Sequence, residues 1–268
     1  MTEAGKGLSG RACLVTGGAG GLGKSIVLAL LEGGANVAVS DISKGALEAV
    51  ANAEFQGHGG TSKLLLLPGD VTDAGVVKSL IDETVKHLGQ LDVLVNCAGI
   101  FDRFDPVGDL SQDLWSKVLA VNVTGPFLLS KEAINHFLSR GATDASIVNI
   151  GSLASEHGWC GGAAYTTSKH AVRGLTKTTA AFYRNNGIRC NLVMPGGMNT
   201  DIVTNIANSR EGLHPEGQKM LDAVLDGLQT SISDTKEVAK LVAFLASTDS
   251  SALTGAIIKA DHGITTLI

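Results

Sequence analysis

Aromatic residues are scarce in this chain of 268 residues: Phe, Trp and Tyr together supply 4%, in a composition that is 44% hydrophobic. The interior must therefore be built from Val, Leu, Ile and Ala, which suits a parallel sheet covered by helices. Positive charge is not in excess either. With 21 Lys and Arg against 26 Asp and Glu the formal charge is −5, giving no long-range attraction for nucleic acid or an anionic membrane, so a small-molecule partner is expected. Cysteine is sparse and unpaired in pattern: Cys13, Cys97, Cys160 and Cys190 lie far apart with no C-x-x-C. Free thiols in a reducing compartment follow. The opening MTEAGKGLSG lacks an apolar signal stretch, and no run approaches the ~18 apolar residues that span a bilayer; a cytoplasmic protein is expected. No repeat, low-complexity tract or linker divides the chain, so residues 1–268 read as one domain.

What the chain does have is rhythm. Short β-branched runs alternate with longer amphipathic or Ala-rich stretches, the βαβ pattern of a doubly wound, mostly parallel α/β sheet of Rossmann type. Seven strands are predicted near Arg11 to Thr16, Asn36 to Ser40, Lys63 to Pro68, Leu91 to Asn96, Ala145 to Ile150, Ile188 to Met194 and Ala256 to Ala260. Helices are predicted over Gly21 to Gly33, Ser43 to Gln56, Asp73 to Leu88, Asp113 to Arg140, Ala163 to Asn186 and Thr235 to Ser247. The stretch Asn199 to Ser233, polar and broken by Gly and Pro215, interrupts the rhythm and reads as a substrate lid. Met198, Ile202, Ile206 and Met220 make it partly apolar, which favours a cyclic or medium-sized apolar substrate.

Strand one ends in Thr16-Gly17-Gly18-Ala19-Gly20-Gly21-Leu22-Gly23 and runs into a helix. Glycines let such a turn take positive φ and let a pyrophosphate approach the backbone at a helix N-terminus. A glycine motif alone is weak; its place between strand one and a helix strengthens it. Asp41 closes strand two about twenty residues on, where a carboxylate accepts from adenosine ribose hydroxyls; a turn or helix-capping Asp is the plainer alternative. Asp70 ends strand three, in position to face an adenine, and Asp73 reads as the next helix cap.

Tyr165 and Lys169 are four residues apart on a predicted helix, hence one turn apart on one face. Such a Lys is expected to lower the Tyr pKa toward working pH and make the phenol an acid/base. Ser152 follows strand five, at the carboxyl ends where α/β sheets bind ligands, and can polarise a carbonyl or simply close a turn. His157 has no second His or Cys at metal spacing, and no metal site is expected. His58, His87, His136, His170 and His214 read as surface residues, and Trp159 as a substrate-facing one.

Together these residues resemble the short-chain dehydrogenase/reductase family in its single-domain form. The family's Thr-Gly-x-x-x-Gly-x-Gly stands at Thr16 to Gly23, its Asn-Asn-Ala-Gly at Asn96-Cys97-Ala98-Gly99, its helix Asn at Asn122, its Ser at Ser152, its Tyr-x-x-x-Lys at Tyr165 and Lys169, and its Pro-Gly turn at Pro195-Gly196 with Thr200 following. The resemblance implies an oxidoreductase in which Tyr165 is the general acid/base, Ser152 holds the substrate oxygen, Lys169 binds the nicotinamide ribose and tunes Tyr165, and Asn122 holds a proton-relay water. It implies that Gly17, Gly21, Leu22, Gly23, Asp41, Asp70, Val71, Asn96, Ala98, Gly99, Pro195, Gly196 and Thr200 line the dinucleotide, and that the chain forms a homotetramer or homodimer. With Asp41 at the ribose, NAD(H) is expected over NADP(H). Cys97 stands where the family has a second Asn, and Lys259-Ala260-Asp261-His262-Gly263 stands where it commonly has Asp-Gly-Gly. A dinucleotide-binding regulator without turnover, or a lyase or isomerase using the same pocket, is the competing reading.

Overall fold

The computed structural model describes residues 6–55, 62–198, 212–228 and 233–267. Its centre is a seven-stranded, all-parallel sheet in the order β3-β2-β1-β4-β5-β6-β7. The strands are β1 (Ala12–Thr16), β2 (Asn36–Asp41), β3 (Leu64–Pro68), β4 (Val93–Asn96), β5 (Ala145–Ile150), β6 (Ile188–Pro195) and β7 (Ile257–Ala260). All seven lie where the alternation predicts them, within two residues, and the sheet is wholly rather than mostly parallel.

The helices are α1 (Gly21–Glu32), α2 (Lys44–Val50), α3 (Ala74–Leu88), α4 (Gln112–Leu119), α5 (Gly125–Ser139), α6 (Ala163–Tyr183), α7 (Pro215–Leu228) and α8 (Thr235–Ala246). Side chains alternate across each central strand. Cys13, Val15, Val37, Val39, Val93 and Val95 pack under α1, α2 and α8, while Leu14, Ala38, Leu94 and Ile147 pack under α3, α5 and α6. Burial on both faces explains why the strands read as unbroken apolar runs.

Two helical expectations need correction. The helix predicted over Asp113 to Arg140 is α4 and α5 joined by a π-helical turn, Ala120–Thr124. Pro126, early in α5, has no N–H to offer the carbonyl four residues back, which is that of Asn122, so the α-helical ladder is interrupted there. The second concerns the lid stretch. Its residues 199–211 and 229–232 lie outside the described residues, but Pro215 opens α7 rather than breaking the chain. Proline fits the first helical turn, where its missing N–H would have no partner.

Arg189 on β6, unremarked in the sequence, ties the far end of the sheet together. Its guanidinium donates to the carbonyls of Leu245, Ser247 and Ser250, the Ser250 hydroxyl and Asp144, and so caps the end of α8 from below. Arg189→Met is expected to lower unfolding stability by about 3 kcal/mol, because it leaves buried carbonyls without donors and Asp144 with one fewer cation. Urea unfolding of the variant against the parent measures this; a loss below about 0.5 kcal/mol, the range of an inconsequential surface change, would rule out a bracing role.

Candidate active site

The cleft begins where β1 turns into α1. Gly17 has φ +67, and a Cβ there would sit 2.7 Å from Ala98 Cα; one on Gly23 would collide with the Gly17 carbonyl oxygen. The turn is thus packed backbone against backbone. Thr16 Oγ1 fixes the arrangement by accepting from the N–H groups of Cys97 and Ala98, each at 3.2 Å. Gly20, the N-cap of α1, contributes no side-chain cap, so the positive end of the helix dipole is presented to the cleft by N–H groups alone.

The cleft encloses about 400 Å³. Of the residues expected to form it, Gly17, Gly21, Leu22, Gly23, Asp41, Ala98, Gly99, Ser152, Tyr165, Lys169, Pro195 and Gly196 line it. Ala46, Cys97, Ile150 and Met198 do so as well, without a sequence signal assigning them to the dinucleotide.

Asp41 sits at the end of β2. Its Oδ2 accepts from Ala19 N at 3.2 Å and its Oδ1 from Ser43 N at 3.2 Å. The N-cap of α2 is Ser43, whose hydroxyl accepts from Ala46 N, so Asp41 does not cap the helix; its bond from Ser43 N, two residues on, is the turn half of that alternative. One lone pair on each carboxylate oxygen is left over from these two bonds, which is what a ribose diol requires. Lys44, the nearest cation in sequence, is paired with Glu48 at 3.7 Å.

Tyr165 and Lys169 project from the first turns of α6 and Ser152 from the end of β5. Lys169 is 6% exposed; its Nζ donates to Ile150 O at 2.9 Å and lies 5.5 Å from the centre of the Tyr165 ring. Burial pulls its pKa down to about 8. The Tyr165 phenol moves the other way from the expectation: burial raises its pKa above the ordinary value, with the Ser152 hydroxyl opposing and the Asp102 carboxylate adding to the rise. In this environment the phenol stays protonated at neutral pH.

Other expected residues are placed differently. Asn96 turns away from the cleft, its Nδ2 donating to Asn149 Oδ1 at 2.7 Å and to Ser130 Oγ at 3.2 Å in the core. Asp70 accepts from the N–H and hydroxyl of Thr72, closing a turn, and Val71 packs against Gly125. Neither lines the cleft. Asn122 donates from Nδ2 to the Ile100 carbonyl at 2.8 Å and the Ser168 hydroxyl at 3.0 Å and accepts the Ile100 N–H at Oδ1 at 2.8 Å, which leaves Oδ1 one lone pair. Thr200 lies outside the described residues, as does His58. His136 is half-buried and accepts from Leu91 N, and His214 pairs with Asp109, so neither is a plain surface residue. Trp159 packs on a small core cluster with Leu153 and Met194. Asp73 caps α3 as expected.

A parallel sheet with a glycine-rich turn, a ribose-ready acid and a Ser, Tyr and Lys at its carboxyl edge defines the nicotinamide-dependent oxidoreductases of Rossmann type. The comparisons narrow this. Residues 17–265 match a family model described as "Enoyl-(Acyl carrier protein) reductase". The chain is 44% identical to "Short chain dehydrogenase/reductase dpchG" of Colletotrichum higginsianum, over 98% of this chain and 96% of that one. It is 35% identical to "3beta-hydroxysteroid dehydrogenase 2" of Eggerthella lenta, over 96% and 95%. Among solved structures, levodione reductase superposes with a TM-score of 0.86 at 26% identity, covering 97% of this chain and 99% of that one. The chain belongs to the short-chain dehydrogenase/reductase family.

Burying Lys169 has a measurable consequence. Because its folded pKa of about 8 lies below the unfolded value, the folded state binds fewer protons between those two limits, and the cost of burial is fully present below pH ~8 and fades above it. Lys169→Met removes this cost and one hydrogen bond to Ile150. A net gain on the order of 1 kcal/mol is expected at pH 7, shrinking as pH rises from ~8 through ~10. Thermal melts of both proteins across that range test it. An offset that stays constant with pH would mean that Lys169 is not titrating low.

Proposed function

We propose that the chain is a single-domain, NAD(H)-preferring dehydrogenase/reductase of secondary alcohols and ketones, in which Tyr165 is the general acid/base. The observation that carries this reading is the convergence of Ser152, Tyr165 and Lys169 in the cleft whose other end is closed by Asp41. The residues fit a dinucleotide: a side chain at Gly17 or Gly23 would occupy the space of the turn itself, and Asp41 has acceptors to spare. When bound, a nicotinamide supplies or takes the hydride at its C4.

In the reductive direction the Ser152 hydroxyl donates to the substrate carbonyl oxygen and the Tyr165 phenol delivers the proton to it. Lys169 offsets the negative charge left on the phenolate. Proton replacement follows the space beside Gly99, where an added Cβ would stand 3.4 Å from Asn122 Oδ1 and 3.7 Å from Lys169 Nζ. A water seated there is held from both sides and passes a proton from solvent. Oxidation runs the same steps backwards. A cyclic secondary alcohol is the favoured substrate class, supported by the name of the hydroxysteroid relative and by Met198 on the cleft wall.

Cytoplasmic location and a homodimer or homotetramer complete the reading. The half-exposed Trp115 on α4 and Phe127 on α5 support association between copies.

Absorbance at 340 nm with a panel of cyclic alcohols and ketones tests for turnover, and Tyr165→Phe is expected to reduce kcat at least ~1,000-fold while leaving NADH affinity within about twofold. Retention of a tenth of the parent rate would remove Tyr165 from its role. For the dinucleotide, a 2′-phosphate would meet the Asp41 carboxylate at close range with Lys44 already paired. A preference for NAD(H) of at least roughly tenfold in kcat/KM is expected, relaxed by Asp41→Ser. Equal use of NADP(H) by the parent chain would refute it.

A further inference from the structure

Tyr165 is held by a loop that the mechanism above does not use. The residues after β4 run Ile100-Phe101-Asp102-Arg103-Phe104-Asp105 and pass over the start of α6. Phe101 stacks on the Tyr165 ring, centroids 3.9 Å apart and planes 28° from parallel. Asp102 is fully buried. Its Oδ2 accepts from the Tyr165 N–H at 2.8 Å, and its Oδ1 from Gly162 N at 2.9 Å and Phe104 N at 3.2 Å.

Helix α6 cannot cap itself, since its N-cap is Gly162 and no side chain there accepts a bond. Asp102, some sixty residues earlier, takes that office, placing a carboxylate at the positive end of the helix that carries Tyr165 and Lys169. The fit is close on both sides. A Cβ on Gly162 would lie 2.7 Å from Asp102 Cγ, and one on Gly161 would lie 2.6 Å from Tyr165 Cδ1 and 3.3 Å from Phe101 Cζ. The loop is itself braced. Phe104 is held at φ +60, Asp105 accepts from Arg103 through both its backbone N–H and its guanidinium, and the Asp105 carbonyl accepts from Ala163 N.

We propose that Asp102 and Phe101 are positioning residues for Tyr165: the carboxylate pins the backbone of the tyrosine to the loop after β4, and the stacked ring fixes the direction in which the phenol points. The inference rests on Tyr165 being the acid/base. It adds that this loop raises the proton affinity of the phenol beyond what burial alone does. The groups facing the phenol are Ser152 from the end of β5, Lys169 from α6, Cys97 and Asp102 from the chain after β4, and Cys160 from the segment before α6. Of the carboxylates, Asp102 is the one that opposes ionisation of the phenol, and Phe101 keeps water from one face of its ring.

The chain has two tyrosines, Tyr165 and Tyr183, so in a Tyr183→Phe background tyrosinate absorbance near 295 nm reports Tyr165 alone. Asp102→Asn, which keeps the size, removes the charge and turns an amide NH2 toward one of the N–H groups the carboxylate accepts from, is expected to move its ionisation to lower pH by about half a unit or more. Phe101→Leu is expected to lower it too, by admitting water, and carries the test if Asp102→Asn does not fold. NADH binding, followed by its fluorescence, should stay within about twofold of the parent in both. An unmoved Tyr165 titration in the folded variants, with or without a lower melting temperature, would reduce the loop to a structural cap and overturn the proposal. The functional reading fails elsewhere, through turnover that survives Tyr165→Phe, so the two failures are distinguishable.

Discussion

The constraint on which the rest depends is the contact of backbone with backbone where the sheet order reverses. From β1 the chain builds outward through β2 and β3, then crosses back to place β4 on the other side of β1. The connections leaving β1 and β4 therefore part in opposite directions and open a crevice between them. Gly17 and Ala98 meet at its floor with no room for a Cβ on the glycine, and Thr16 Oγ1 accepts from both residues that follow Asn96. Any side chain at Gly17 would push the two turns apart, displacing the start of α1 from the side of the cleft lined by Ser152, Tyr165 and Lys169. Position at one end of the cleft is thus inherited from packing at the other.

Much of this was legible because it is local. Strand alternation, the glycine spacing from Thr16 to Gly23 and the four-residue step from Tyr165 to Lys169 are set within a turn or two of chain, and each was found where its spacing put it. What escaped has physical reasons of two sorts. The π-turn at Asn122 and the start of α7 hinge on Pro126 and Pro215, and a proline in the first turn of a helix looks in sequence like a proline that ends one. The roles of Asp102 and Arg189 rest on partners about sixty residues away, and nothing in their own neighbourhood distinguishes a buried cap from a surface charge. Asn96 is a subtler case. Its motif marks the place where the chain enters the cleft, but Asn96 is still within β4 and turns its side chain into the core beside Asn149, while Cys97, Ala98 and Gly99, past the strand's end, line the site.

The expected lowering of the tyrosine pKa failed for an electrostatic reason. Four-residue spacing puts Lys169 beside Tyr165, yet it says nothing of how deeply both are buried. Burial acts on the two in opposite directions, disfavouring ammonium and phenolate alike, so the lysine falls to about 8 and the phenol rises. The pair is poised to hold one proton on the phenol at neutral pH rather than to share a charge.

Such a site works against the stability of the fold that holds it. A buried ammonium and a phenol kept from water both cost free energy, and the left-handed backbone at Phe104 adds strain. Two polar anchors work against these costs, one beside the site and one remote from it. Asp102 gathers three N–H groups at the head of α6, and Arg189 binds the tail of α8 to β6. These differ in kind: Arg189 joins elements remote from the cleft, so its loss should be felt in unfolding, whereas Asp102 touches the tyrosine backbone and adds to the rise of the phenol's pKa, so one carboxylate bears on both. A change at Asp102 that strengthened the cap would therefore alter the acid it supports, which limits how far this helix can be stabilised without changing the chemistry.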